Sequence, residues 1–254
     1  MSCVAQGRPS GRTIAFIHFQ QASRAGGLTV GSLDSTGLVQ RFDSDMIRMV
    51  EGGVRWGHAS RDPLALKLSL AYSSWHAIQA DLVDPQGLPM TANIGNGRII
   101  TADASLSWRV TAALQLDVAA FYNRSDLSEP RPLFGTALDA DLPNVAETGG
   151  RVALTWRVPL SARANLLLDT NLRYVGASQL GIGAPIDVKQ GGYLDTAIGA
   201  RIDFGQVGLS LDLRNIGDVR GNRFAFGNPF GLADRNQITP LRPRTIRVGL
   251  DVQF

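Results

Sequence analysis

Few residues in this chain have both the type and the spacing that chemistry requires. The three histidines, His18, His58 and His76, are far apart and share no motif with a cysteine. His76 precedes Asp81 and Asp84, and an imidazole beside a carboxylate is the pair that activates a water for peptide hydrolysis. A lone histidine among polar neighbours would have the same sequence, so the pair stands only as an alternative. There is no His-Glu-x-x-His helix and no Gly-x-Ser-x-Gly elbow. Gly95-Asn96-Gly97 and Gly181-Ile182-Gly183 precede no helical pattern, so they read as turn glycines rather than phosphate cradles. The richest set lies in 217–242: Arg220, Arg223, Phe224, Phe226, Phe230 and Arg235. Cations and aromatic faces together could hold an anionic, aromatic metal chelate by charge and stacking, and they serve equally as a self-packed loop with solvated arginines. Cys3 is the single cysteine, which excludes an internal disulfide and a Cys-based metal cluster. No cofactor and no resident metal are expected.

The elements that would carry these loops announce themselves by aromatic spacing. Trp56, Trp108, Trp156, Phe204 and Phe254 recur at gaps of 52, 48, 48 and 50 residues, and Tyr72, Tyr122 and Tyr174 at gaps of 50 and 52. The first series closes stretches in which apolar and polar residues alternate, such as Ala102-Asp103-Ala104-Ser105-Leu106-Ser107-Trp108. Two aromatic series tied to strand ends describe the two girdles of a transmembrane β-barrel. The first would lie at the periplasmic rim and the tyrosines at the outer rim.

Ten strands are expected, at about 12–20, 45–57, 64–78, 97–109, 113–124, 149–158, 163–175, 191–204, 206–216 and 243–254. Their connections alternate between short turns and long loops, the outer-membrane pattern with long loops outside the cell. Leu64, Leu66, Leu68, Leu70 and Tyr72 share one face, as do Leu114, Leu116, Val118, Ala120 and Tyr122. The opposite faces collect Lys67, Asp103, Asp117, Arg151, Arg173, Arg201 and Asp251. Arg48 alone breaks the apolar face, near an outer end where its side chain can reach headgroups. A charge at mid-bilayer on that face would cost about 2–4 kcal/mol, so the segregation is what lipid exposure demands. The faces of 12–20, Ala15/Ile17/Phe19 and Ile14/Phe16, do not separate cleanly. A period near 50 residues also suits a soluble β-propeller, although two long strands per period and one uncharged face favour the barrel.

Composition agrees. The 254 residues have a net charge of +3 and a mean hydropathy of 0.00, as expected when only alternate residues meet lipid. The basic residues are scattered, which speaks against nucleic acid as a partner. No apolar run approaches a membrane helix, and Ile14-Ala15-Phe16-Ile17 is too short for a secretory signal. A barrel without an export signal cannot reach its membrane. The expectation is therefore a truncated or disordered stretch at 1–11 and a barrel segment at 12–254, belonging to something longer.

The closing strand, Arg247-Val248-Gly249-Leu250-Asp251-Val252-Gln253-Phe254, resembles the terminal signal by which the barrel-assembly machinery recognises outer-membrane proteins, with Gly249, Val252 and Phe254 as its marks. The wider tail resembles the end of the TonB-dependent receptor family. The likeness rests on Leu211-Asp212-Leu213-Arg214-Asn215-Ile216-Gly217-Asp218, a glycine- and aromatic-rich loop, and then Pro240-Leu241-Arg242-Pro243-Arg244-Thr245-Ile246-Arg247-Val248-Gly249. The hairpin within 97–124 is similar to a family hairpin. The resemblance implies 22 barrel strands, an internal plug and a TonB-contact segment in the whole protein; about ten strands and no plug are present here. It further implies an outer-membrane location, lipid as surroundings, TonB only through the missing N-terminal part, and a scarce small-molecule ligand such as a ferric siderophore. A self-contained ten-stranded barrel, either a passive pore or a rim protease built on His76, stays open beside it.

Overall fold

The computed structural model describes residues 1–31, 39–84, 87–130, 141–182, 188–223 and 239–252. Among them are fifteen strands and no helix. They are β1 (Ser2–Ser10), β2 (Thr13–Arg24), β3 (Gly27–Val30), β4 (Val39–Phe42), β5 (Asp45–Trp56), β6 (Leu64–Val83), β7 (Pro89–Arg109) and β8 (Leu114–Pro130). Then follow β9 (Thr148–Ser161), β10 (Ala164–Val175), β11 (Ser178–Gln179), β12 (Lys189–Gln190), β13 (Tyr193–Phe204), β14 (Val207–Arg214) and β15 (Thr245–Val252). Eleven form one antiparallel sheet in the order β1-β2-β5-β6-β7-β8-β9-β10-β13-β14-β15. The pairs β3–β4 and β11–β12 are small hairpins within two of the long loops.

The sheet is the expected all-β, up-and-down wall, with eleven strands in place of ten. The additional strand is β1, whose residues were expected to lie outside the barrel segment; Ser2 pairs with Gln20 and Gly7 with Ala15. The wall is not closed, because β1 and β15 stand at its two edges.

One face is apolar and open. Leu68, Leu70, Tyr72, Val248 and Leu250 are 49–73% exposed. The opposite face buries Ser69, Ala71 and Ser73. Alternation along each strand produces this segregation. In β2 the two faces do separate: Phe16 is buried on the inner face and Ile17 is exposed on the outer one. Phe16 lies over its register partner Gly53, where a Cβ would come within 2.6 Å of the ring. Phe121 lies over its register partner Gly149 in the same way. A glycine opposite an aromatic lets the ring lie flat on the inner wall.

Strands β6, β7 and β8 run further than the sequence pattern marks, because ladder hydrogen bonds continue where the lipid-facing pattern stops. Beyond Tyr72 the β6–β7 hairpin rises by about 30 Å at 3.3 Å per tilted residue. Halfway up, the ladder slips: Trp75 pairs with Gly97, Ile78 with Gly95 and Gln79 with Asn93. Ala77 sits at φ +50°. Its N–H donates to Asn96 Oδ1 at 2.9 Å, and its carbonyl accepts from Asn93 Nδ2 at 2.6 Å. The extra residue exchanges the faces. Below it the even-numbered side chains of β6 point outward; above it Ile78, Ala80 and Leu82 point inward and are buried with Met90, Ile94, Leu142 and Ile182. The main apolar core thus stands beyond the outer girdle, between the hairpin and two other loops.

Candidate functional site

The two aromatic series give the wall a common frame. The register partner of Tyr72 on β8 is Arg124, through Ile100, and Tyr122 lies two residues below it. Trp56 pairs with Leu66, and Leu66 in turn with Leu106 on β7; Trp108 lies two residues nearer the short-turn rim. A drop of two residues over two strands corresponds to a tilt of roughly 35°, from about 3.3 Å per residue and 4.8 Å per strand. Both aromatic series are thus level only when the strands are tilted as in a barrel. Trp56, Trp108, Trp156 and Phe204 are 39–50% exposed, as are Tyr122 and Tyr174 at 45% and 46%. Phe254, the last member of the first series, lies outside the described residues.

The inner face is polar, with charges in a pattern. One register row runs Arg55–Lys67–Ser105–Ala119–Arg151–Arg173 across β5 to β10. Two cations flank two small residues on each side. A hollow of about 560 Å³ is lined by Arg55, Lys67, Ser105, Asp117 and Arg151. A second, of about 420 Å³, is lined by Lys67, Asp103, Phe121, Arg151 and Arg173. Glu51 receives Lys67 at 3.3 Å and faces His18 Nδ1 at 3.7 Å. Arg55 and Lys67 stack on Phe16 at 4.8 and 5.6 Å from the ring centroid. Nearer the short turns Arg201 bridges Asp203 and Asp251 at 2.8 and 2.5 Å. A wall of this kind offers polar contacts to whatever occupies its concavity.

At the outer rim, Asp45 is 3% exposed and ties three strands together. It accepts from the Arg24 backbone at 3.0 Å, from the Arg24 guanidinium, and from Trp75 Nε1 at 3.0 Å. Arg24 also stacks over the Trp75 ring at 5.5 Å. Burial pushes the Asp45 carboxyl up, and the hydrogen bonds from Arg24 and Trp75 outweigh it, holding the group below its ordinary value of 3.8.

The element that carries the family resemblance has a structural task. Asn215 is 3% exposed at φ +47°. Its Nδ2 donates to the carbonyls of Val219 and Arg242, and its Oδ1 accepts from Val219 N–H. Asp218 accepts from Arg244 N–H at 3.2 Å. Asn215 and Asp218 thus join the entrance of the 217–242 loop to its exit before β15. Of the expected ligand residues, Arg220 and Arg223 stand just beyond this clamp, with Arg223 N–H bonded to the Thr239 carbonyl. Phe224, Phe226, Phe230 and Arg235 lie outside the described residues.

The candidate hydrolytic pair does not assemble. His76 and Asp81 are five residues apart on one strand, roughly 16 Å. Asp81 accepts from Thr91, and Asp84 holds the hairpin turn through Leu88 N–H. The terminal-signal residues Gly249 and Val252 occupy β15 opposite Ser210 and Val207. A Cβ at Gly249 would come within 2.5 Å of Ser210 Oγ. The sequence pattern marked Arg48 as the only cation on the outward face. The structure adds Arg98 and Arg124, both beyond the tyrosines and both within the strands expected at 97–109 and 113–124, where they share the parity of the apolar face.

No protein-family model matches the chain, and no curated protein matches it. Solved structures do. The ferric yersiniabactin uptake receptor FyuA from Yersinia pestis matches with a TM-score of 0.75 at 14% identity, over 100% of this chain and 37% of that one. The ferric preacinetobactin receptor BauA from Acinetobacter baumannii gives 0.71 at 14%, over 100% and 36%. The copper transporter OprC gives 0.70 at 16%, over 100% and 39%. The chain thus spans little more than a third of the length of each. It carries, from end to end, the antiparallel fold found in the barrel domains of TonB-dependent receptors.

Proposed function

We propose that the chain is part of the wall of a TonB-dependent outer-membrane receptor that takes up a scarce ligand, with an iron–siderophore complex as the leading class. The observation that carries this reading is the separation of faces in a sheet of that fold. Lipid-facing leucines, valines and aromatics stand outward between two girdles, and arginines, lysines and carboxylates stand inward. Binding would occur at the outer loops, where Arg220 and Arg223 stand beside the aromatic-rich stretch 224–238. Passage would follow the polar concavity, and energy coupling through TonB belongs to the whole receptor. Assembly would use Gly249, Val252 and Phe254 as the terminal signal.

The test has two arms. Expressed in a Gram-negative host, the polypeptide should fractionate with membranes; recovery as a soluble species would overturn the reading. Measured in a whole receptor that carries this segment, uptake of a radiolabelled ferric chelate should fall when Arg220 and Arg223 are both changed to alanine. Undiminished uptake would remove those two residues from the ligand site.

A further inference from the structure

The cations of the inner face do not stand at one depth. The aromatic series are level only when a register row climbs by one residue per strand from β5 toward β10, so the row Arg55–Lys67–Ser105–Ala119–Arg151–Arg173 runs diagonally. Arg173 lies one residue below Tyr174, and Lys67 lies five residues below Tyr72. At about 3.3 Å per residue and a tilt of roughly 35°, the row descends by roughly 11 Å between these two side chains. It starts just beneath the tyrosine level and leads toward the middle of the wall.

The row is short of counter-charges. Arg55 faces Lys67, and Arg151 faces Arg173, directly across the ladder. Like charges directly opposite weaken a sheet, and only Lys67 finds an ion pair, with Glu51 at 3.3 Å. Arg55 stacks on Phe16. Arg151 donates from Nε to Asn171 Oδ1 at 2.8 Å, which leaves its terminal nitrogens open. Arg173 has no hydrogen-bond or ion-pair partner among the described residues. Asp103 stands two residues above Ser105, Asp117 two residues below Ala119, and Asp195 opposite Arg173 on β13. Among the described residues none of these three carboxylates forms an ion pair with the row, and Asp117 accepts from Gln115 at 3.2 Å instead.

Between the two cation pairs the wall is low. Ser105 and Ala119 are small and exposed, and the hollows of about 560 and 420 Å³ share them, together with Lys67 and Arg151. Arg173 and Phe121 line the upper hollow as well. The recess therefore opens into the concavity with one cation pair at its upper end and another at its lower end. Rows of arginine and lysine select anions in pores, and passage needs several sites, each weak enough to let go.

We propose that this row is a stepped path for an anion. A carboxylate group of the imported ligand is received by Arg173 and Arg151, rests over Ala119 and Ser105, and passes to Lys67 and Arg55. The inference rests on the receptor reading above. It adds to that reading the charge of the cargo and the side of the concavity along which it moves. The competing occupant is an acidic segment of the same receptor that lies permanently on the row.

The test uses a whole receptor that carries this segment, with Cys3→Ser and Ala119→Cys, in outer-membrane vesicles. Two thiol reagents of similar size are compared at position 119, one bearing a sulfonate and the other a trimethylammonium group. The sulfonate reagent should react about tenfold faster, the lower end of what a lining of one sign does to encounter rates. Citrate, used as a tricarboxylate probe, should slow it. Arg151→Gln together with Arg173→Gln should abolish both the preference and the protection. Arg151→Lys with Arg173→Lys, which keeps the charge, should retain the preference, and Arg98→Gln on the outward face should change neither. Equal rates for the two reagents, no slowing by citrate, or a preference that survives the double glutamine change would overturn the proposal while leaving the receptor reading intact. A thiol that neither reagent reaches would also overturn it, because the row would then be covered by protein. Absence of the parent receptor from the outer membrane would overturn both.

Discussion

Single residues at the outer rim do more than decorate it, and Asp45 is the clearest case. A nearly buried carboxylate between β2, β5 and β6 survives because Arg24 and Trp75 saturate it. Asp45→Asn keeps the shape but removes the charge, and should lower the stability of the rim by about 2 kcal/mol, a typical cost for unbalancing a buried charged hydrogen bond. The expected signature is faster protease clipping in 25–44 with the rest of the wall protected. The pH dependence has a definite sign. The folded group titrates below its ordinary 3.8, so its contribution is complete above that value and is lost as pH falls through the depressed folded one. Unfolding followed between pH 5 and 2 should therefore lose a component in the wild type that Asp45→Asn lacks. Asn215 presents a second case. Its left-handed backbone suits asparagine, and its amide spans both ends of the 217–242 loop, so Asn215→Ala should cost about 1–3 kcal/mol. That loss should appear as weakened protection of β14 and β15 in hydrogen exchange. Neither residue's task is readable from the sequence: no motif distinguishes Asp45 from other acids, and Asn215 belongs to the resemblance at 211–218 with no mechanism attached.

Among the elements, the strands with one apolar face were legible because a period of two is stated in the residues themselves. The leucines of β6, the valines and leucines of β15 and both aromatic series fall where alternation puts them. The same regularity concealed the β6–β7 hairpin. The even-numbered apolar series from Leu64 to Tyr72 stops at Ser74 and His76 and resumes at Ile78, Ala80 and Leu82 with the same parity, so parity alone assigns both runs to one face. The bulge at Ala77 reverses the face while the sequence parity stays the same, and nothing local except the flanking asparagines hints at it. Ala77→Val, whose branched side chain opposes the left-handed backbone at φ +50°, should favour plain alternation with the residue retained and turn Ile78 and Leu82 toward solvent. In a whole receptor, the expected result is a barrel that still inserts, but whose hairpin above residue 76 becomes sensitive to protease added outside the cell. Continued protection would show that the loops, rather than the bulge, hold the apolar cluster in place. β1 escaped notice for the opposite reason: Ser2-Cys3-Val4-Ala5-Gln6-Gly7 has almost no apolar contrast between its faces, and only pairing with β2 reveals it.

For the whole molecule, strand parity decides what the wall can do on its own. In a bilayer every backbone donor and acceptor must be paired, so a spanning sheet has to close. Neighbours run antiparallel through all eleven strands, and the first and eleventh members of such a series run in the same direction. Joining β1 to β15 would require one parallel ladder in an otherwise antiparallel ring, whereas single-chain bacterial barrels have an even number of antiparallel strands. Direct closure is thus disfavoured by topology, independently of any resemblance, and the two edges call for further strands between them. Disulfide trapping separates the cases. Leu211 and Val248 are register partners across β14 and β15, so cysteines placed there, in a chain with Cys3 changed to serine, should oxidise readily in the membrane. In the Leu250→Cys variant, native Cys3 on β1 and the new thiol on β15 should stay reduced, because bridging needs the two backbones within about 7 Å. A rapid bridge between them, formed as fast as the control, would mean that the eleven strands close on themselves. The wall would then be a small pore rather than part of a larger receptor.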